Sequence, residues 1–323
     1  MSIKSMRRLV GICGLISTAI CGCSEDLTIQ ERWIQSAYLE NGSFTALLNG
    51  FDIHYQIHGQ GPVMMVVSNS WGLDITGLRG MLQGLEEKLT MVYFDSRGMG
   101  ESDPIREESD MSMAAVRGDF DALRQHLGLE KVHAIGWSNG AGNLILLAIE
   151  HPEILSSATF VHGVASYTQE DAVEFSQRFA ELTEKHMAFM QEMADESLTD
   201  EIRTERVKEL WLTEFFPLQM ADQEGGPALL DKAFSGAQFS WSHGQYANQE
   251  SMGFDTREQL AAIPVRSLVI AGTHDMSPPE KVKVLADGLG DSVYVLFENS
   301  GHFVPLEEPA LFETVVFDFV GVE

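Results

Sequence analysis

Six short apolar runs, at residues 63–67, 91–94, 132–135, 158–161, 267–270 and 293–297, recur along the chain, and most are separated by helix-length segments. A strand that reads as a continuous apolar run is buried on both faces, and the segments between such strands cross over as helices. The alternation therefore predicts a mostly parallel, twisted sheet covered by helices on both sides. Ahead of it, residues 43–48 and 51–58 flank Asn49-Gly50, a pair whose tolerance of positive φ suits a tight antiparallel hairpin. The alternation stops between residues 166 and 263, where no buried strand is evident and Phe175, Phe179, Leu182, Met187, Met190 and Met193 recur at helical spacing. That stretch reads as a helical insertion between two core strands.

Directly after the run at 132–135 comes Gly136-Trp137-Ser138-Asn139-Gly140-Ala141-Gly142, followed by a stretch to Glu150 rich in Leu, Ile and Ala. This is a strand, a tight turn and a helix around Gly-x-Ser-x-Gly. The small flanking residues let a strained serine sit between strand and helix with its Oγ presented over the helix N-terminus. A serine alcohol needs a nearby imidazole to become a nucleophile, and the imidazole needs a carboxylate to fix its tautomer. Downstream, one apolar run leads into Gly272-Thr273-His274-Asp275 and the next into Asn299-Ser300-Gly301-His302. Asp275 and His302 thus follow the carboxyl ends of successive strands, the edge at which open α/β sheets collect functional groups. Ser138 is the expected nucleophile, His302 the base and Asp275 the orienting acid. His274 is the rival histidine. The rival loop for the acid begins His162-Gly163 and offers no carboxylate before Glu170 and Asp171.

With these residues in place, the sequence resembles an α/β-hydrolase carrying a helical cap. Residues 93–102, Tyr93-Phe94-Asp95-Ser96-Arg97-Gly98-Met99-Gly100-Glu101-Ser102, are similar to that family's Asp-x-Arg-Gly-x-Gly-x-Ser loop, where Asp95 and Arg97 brace a turn rather than react. The tetrahedral intermediate of acyl transfer needs two donors aimed at its oxyanion. The resemblance implies the backbone N–H of Asn139 as one of them. The other comes from the loop Ser68-Asn69-Ser70-Trp71-Gly72, where position matching gives the Ser70 N–H and an Asn69 or Ser70 side chain is the alternative. The loop departs from the family's usual His-Gly.

The implied activity is hydrolysis of a small ester, lactone or thioester through an acyl-enzyme, on a small-molecule substrate and with no metal or organic cofactor. The alternatives are an aminopeptidase or amidase like the proline iminopeptidase branch, a lyase or haloperoxidase-like enzyme, and a ligand-binding protein that has kept the fold. In the iminopeptidase branch acidic cap residues hold a free amino group, a task open here to Glu192, Asp195, Glu196, Asp222 and Glu224. Trp211, Phe215, Phe216, Phe239 and Trp241 in the insertion suggest a partly apolar acyl or alcohol group.

At the N-terminus, Lys4, Arg7 and Arg8 precede an apolar run at 9–20 and then Ile20-Cys21-Gly22-Cys23, the build of a secretory signal that also resembles the lipobox of bacterial lipoproteins. Cys23 is then the lipidated residue of an exported, membrane-anchored protein, with plain secretion as the alternative. The organisation expected is a signal at 1–22, a linker at 23–42, a hydrolase core at 43–165 and 264–323, and a helical cap at 166–263. All three cysteines, Cys13, Cys21 and Cys23, fall in this N-terminal region, so the body holds no disulfide. A formal net charge of −27 repels phosphate backbones and argues against nucleic-acid binding.

Overall fold

A computed structural model describes residues 39–178 and 180–322; the expected signal and Cys23 lie outside the described residues. Strands β1 (Gly42–Leu48) and β2 (Phe51–His58) form the hairpin, and Asn49 and Gly50 turn it with φ of 51° and 84°. β3 (Val63–Val66), helix α1 (Ile75–Leu82), β4 (Thr90–Phe94), α2 (Met113–His126), β5 (Val132–Trp137), α3 (Asn139–Glu150) and β6 (Leu155–Val161) follow in alternation. After an inserted segment come β9 (Ser267–Gly272), α9 (Pro279–Gly288), β10 (Ser292–Phe297) and α10 (Pro309–Val320).

The sheet has eight strands in the order β1-β2-β4-β3-β5-β6-β9-β10, antiparallel at β1-β2-β4 and parallel from β4 onward. Its strand order reverses between β3 and β5, because β4 lies to one side of β3 and β5 to the other. The loops leaving β3 and β5 diverge there and open a crevice at the carboxyl edge. Residues along each parallel strand divide between two cores. Met65, Val92, Phe94 and Ala134 pack with α2, α3 and α9, whereas Met64, Met91, Tyr93 and Ile135 pack with α1, α10 and the insertion.

The insertion begins and ends in a two-stranded antiparallel ribbon, β7 (Ser166–Tyr167) with β8 (Phe254–Asp255). Between these strands lie α4 (Gln169–Arg178), α5 (Ala180–Met193), α6 (Asp200–Leu210), α7 (Gly226–Ala233) and α8 (Trp241–Ser251). Phe216 and Phe234 are buried against Phe303 of the sheet domain, and Phe239 is buried against both of them. Burying a side chain of this kind contributes about 1.5–3 kcal/mol, so the cluster fastens the insertion firmly over the sheet edge.

Candidate active site

Ser138 sits between β5 and α3 with φ 55° and ψ −117°, a backbone region that a residue other than glycine enters at a cost of about 1–3 kcal/mol. The surroundings hold it there. Its N–H donates to the Val161 carbonyl at 2.8 Å, and its own carbonyl accepts from Ala141 and Gly142 at 3.0 and 3.2 Å. A methyl group on Gly136 would strike the Gly140 carbonyl oxygen, and one on Gly140 would come within 2.6 Å of the Val67 carbonyl. The two glycines of the motif are therefore a matter of space, because strand, turn and helix pass in backbone contact.

Asp275 and His302 are brought together from the loops after β9 and β10. His302 Nδ1 lies 2.9 Å from Asp275 Oδ2, and Asp275 Oδ1 accepts the Ser277 N–H at 3.0 Å. Burial alone would raise the Asp275 carboxyl, but charge interaction and hydrogen bonding with His302 and His162 outweigh it and hold it well below the usual carboxylate range. The His302 loop is clamped on both sides. Trp137 Nε1, next to Ser138, donates to the His302 carbonyl at 2.9 Å, and the His302 N–H donates to the Gln219 carbonyl of the insertion at 2.7 Å. Glu307 accepts from Gly301 at 2.8 Å and from Ala221 at 2.7 Å, tying the same loop to the insertion a second time. Among the described hydrogen bonds none joins Ser138 Oγ to His302. Ser138 and His302 share one ledge through Trp137.

The oxyanion loop is stitched to the start of α3. Asn69 Oδ1 accepts the Gly140 N–H at 2.9 Å, and Asn143 Nδ2 donates to the Ser68 carbonyl at 3.1 Å. Asn139 Oδ1 accepts both the Ser70 N–H at 2.7 Å and the Ser70 hydroxyl at 2.9 Å. The Ser70 N–H expected as the second oxyanion donor is thus spent on a side chain. The Asn139 N–H and the Trp71 N–H take part in none of the described hydrogen bonds.

Asp95 and Arg97 have the contacts of braces. Asp95 Oδ2 lies 2.6 Å from His54 Nδ1 and Oδ1 accepts the Ile75 N–H at 2.8 Å, while Arg97 forks onto Asp119 and also reaches Asp110 at 2.8 Å. His274, the rival histidine, is exposed. His162, at the head of the loop passed over in the sequence as a source of the acid, is buried and has its Nδ1 2.6 Å from Asp275 Oδ2. His162, Asp275 and His302 form the one cluster of metal-ligand type among the described residues, and both histidines meet the Asp275 carboxylate at hydrogen-bond distances.

A small cavity lies between Trp71 and the insertion, walled by Trp71, Phe189, Trp211, Phe239 and Trp241. Ser138 is not part of its wall. Trp71 connects the two, with its ring 4.6 Å from that of Trp211 and 6.4 Å from that of Trp137. Of the aromatics singled out in the sequence, Trp211, Phe239 and Trp241 line this cavity, whereas Phe215 and Phe216 pack into the core. Glu192, Asp195, Glu196, Asp222 and Glu224 are all exposed and none lines it. Glu192 pairs with Arg206, and Asp222 accepts the Gly225 N–H at 2.9 Å.

Comparison with known proteins agrees with this fold. The family model for the alpha/beta hydrolase fold matches residues 69–309. The chain is 25% identical over 277 residues to a pimeloyl-acyl-carrier-protein methyl ester esterase of Aeromonas hydrophila, covering 81% of this chain and 97% of that one. It is 24% identical over 205 residues to a proline iminopeptidase of Clostridioides difficile, covering 58% and 64%. Among solved structures, an alpha/beta fold family hydrolase from Bacillus anthracis superposes with a TM-score of 0.71 at 20% identity, over 86% of this chain and 99% of that one.

Proposed function

The chain belongs to the α/β-hydrolase family and is a hydrolase, and on that footing we propose that it is a serine esterase acting on small carboxylic esters, lactones or thioesters with an apolar acyl or alcohol group. The observation that carries this reading is the strained Ser138 turn clamped through Trp137 to a histidine that is itself held by a buried aspartate.

In the reaction Ser138 Oγ attacks the substrate carbonyl carbon and passes its proton to His302 Nε2, the ring nitrogen left open by the Asp275 contact. The negative oxygen of the tetrahedral intermediate faces the Asn139 N–H, with the Trp71 N–H as its second donor. Collapse breaks the carbonyl–oxygen or carbonyl–sulfur bond, and His302 returns the proton to the departing group. His302 then takes a proton from water, which attacks the acyl-enzyme and releases the acid with Ser138 restored.

Two findings favour an ester over an aminoacyl amide. The cavity wall is aromatic, and the five acidic insertion residues expected to hold a free amino group, Glu192, Asp195, Glu196, Asp222 and Glu224, all face solvent. The Aeromonas relative, a pimeloyl-acyl-carrier-protein methyl ester esterase, is in line with this preference. The test compares hydrolysis of p-nitrophenyl esters with that of aminoacyl arylamides. Faster turnover of the esters is expected, with Ser138→Ala abolishing it, and preferential cleavage of arylamides would replace this reading by the aminopeptidase one. The sequence Ile20-Cys21-Gly22-Cys23 supports export and lipid anchoring at Cys23 in the cell envelope.

A further inference from the structure

Two imidazoles meet at one carboxylate oxygen. His302 Nδ1 and His162 Nδ1 lie 2.9 and 2.6 Å from Asp275 Oδ2, and the two rings stand 4.8 Å apart between centroids. His162 follows the end of β6 with φ 56°, a left-handed conformation uncommon for a residue other than glycine, and its N–H donates to the Ile270 carbonyl at 2.9 Å. Its side chain is wholly buried, yet neither ring nitrogen completes a well-aligned hydrogen bond among the described residues. Packing alone does not account for a polar ring placed at such cost, since an apolar side chain would fill the same space without burying two nitrogens.

We propose that His162 is a positioning residue for the reaction at Ser138: its Nδ1, in contact with Asp275 Oδ2 at 2.6 Å, favours that carboxylate ionised and turned toward His302. The inference rests on the serine-hydrolase reading above. The tautomer follows from the contact itself, because an acceptor nitrogen 2.6 Å from a carboxylate oxygen would be repelled, so Nδ1 is the nitrogen that carries the proton. Burial keeps His162 from becoming charged, although the nearby Asp275 works the other way. It therefore acts as a neutral donor and does not compete with protonated His302 for the carboxylate. Together with the Ser277 N–H on Oδ1, Asp275 is approached by donors from three sides. The charged and titratable groups facing His162 are Asp275 and His302; Glu307 stands beyond His302 and takes the N–H groups of Gly301 and Phe303.

Removing this donor leaves the Asp275 charge less compensated, so it stabilises protonated His302 more strongly. The acid limb of the rate profile then moves to higher pH. The full-length enzyme is compared with His162→Ala and His162→Asn, the latter keeping an N–H near the Nδ1 position and tolerating positive φ. The readout is the rate at which a fluorophosphonate labels Ser138 from about pH 5 to 9. His162→Ala is expected to slow labelling about 10- to 100-fold, as befits loss of a close polar contact to a buried charged group, and to shift the acid limb upward. His162→Asn should recover most of the rate. In an Asp275→Asn background, loss of His162 should cost less than about twofold more, because a residue acting through Asp275 has nothing left to position.

An equal loss in both backgrounds, or no loss in the wild-type background, overturns the proposal. Should His162→Ala fail to fold, His162→Gly lacks the donor without the backbone strain and is read in the same way. The triad reading fails by a different sign, namely an Asp275→Asn variant that labels at the wild-type rate.

Discussion

Asn139 does two jobs that separate cleanly on substitution. Its N–H is the oxyanion donor of the proposed reaction, while its side-chain oxygen holds both donors of Ser70. Asn139→Ala keeps the backbone donor and releases the Ser70 loop, so kcat is expected to fall about 10- to 100-fold with KM nearly unchanged, as steady-state kinetics on a p-nitrophenyl ester will report. An unaltered kcat would mean that the latch is ornamental. Ser138, Asp275 and His302 are legible in the sequence because each follows an apolar run that must end at the same sheet edge. The Asn139–Ser70 latch is not legible, since the two residues are joined only by the crevice between β3 and β5. His162 escapes for a related reason: a lone histidine after a strand signals nothing until the carboxylate it faces is in view.

At the level of elements, the strand ends differ from the apolar runs where physics other than hydrophobicity decides. β5 runs on through Gly136 and Trp137 because both pair with β6, and β6 starts at Leu155 across a register shift at Val132 and His133. This irregular point carries a titration. Burial, together with the positive charge of Arg266, lowers the partly buried His133 from 6.5 to about 4, and its Nδ1 contacts the Ser157 hydroxyl at 2.8 Å. The unfolded chain binds the proton first on acidification, so the contribution of His133 to stability is full above 6.5 and is lost as pH falls toward about 4. Urea midpoints at about pH 7 and 5 should fall further for the wild type than for His133→Gln; an identical drop would remove His133 from the account.

Over the whole molecule, the parallel sheet and its helical layers were readable from alternation alone, but the strand order was not. Apolar runs say that strands are buried, whereas the reversal between β3 and β5 depends on which way each crossover turns. Within the insertion, helical spacing could not say which aromatics face a cavity. Phe216 and Trp211 lie close in sequence, yet the first is core and the second is cavity wall. Envelope anchoring is tested by Cys23→Ser, which should move the protein from the membrane to the soluble fraction and abolish the lipid mass; unchanged fractionation would contradict lipidation. The central claim, an activated serine at the β5–α3 turn, is tested most directly by intact-mass analysis after fluorophosphonate treatment of the wild type and Ser138→Ala. The account predicts a single adduct on the wild type and none on the variant; an adduct on Ser138→Ala, or a folded wild type that hydrolyses esters without labelling, would contradict it.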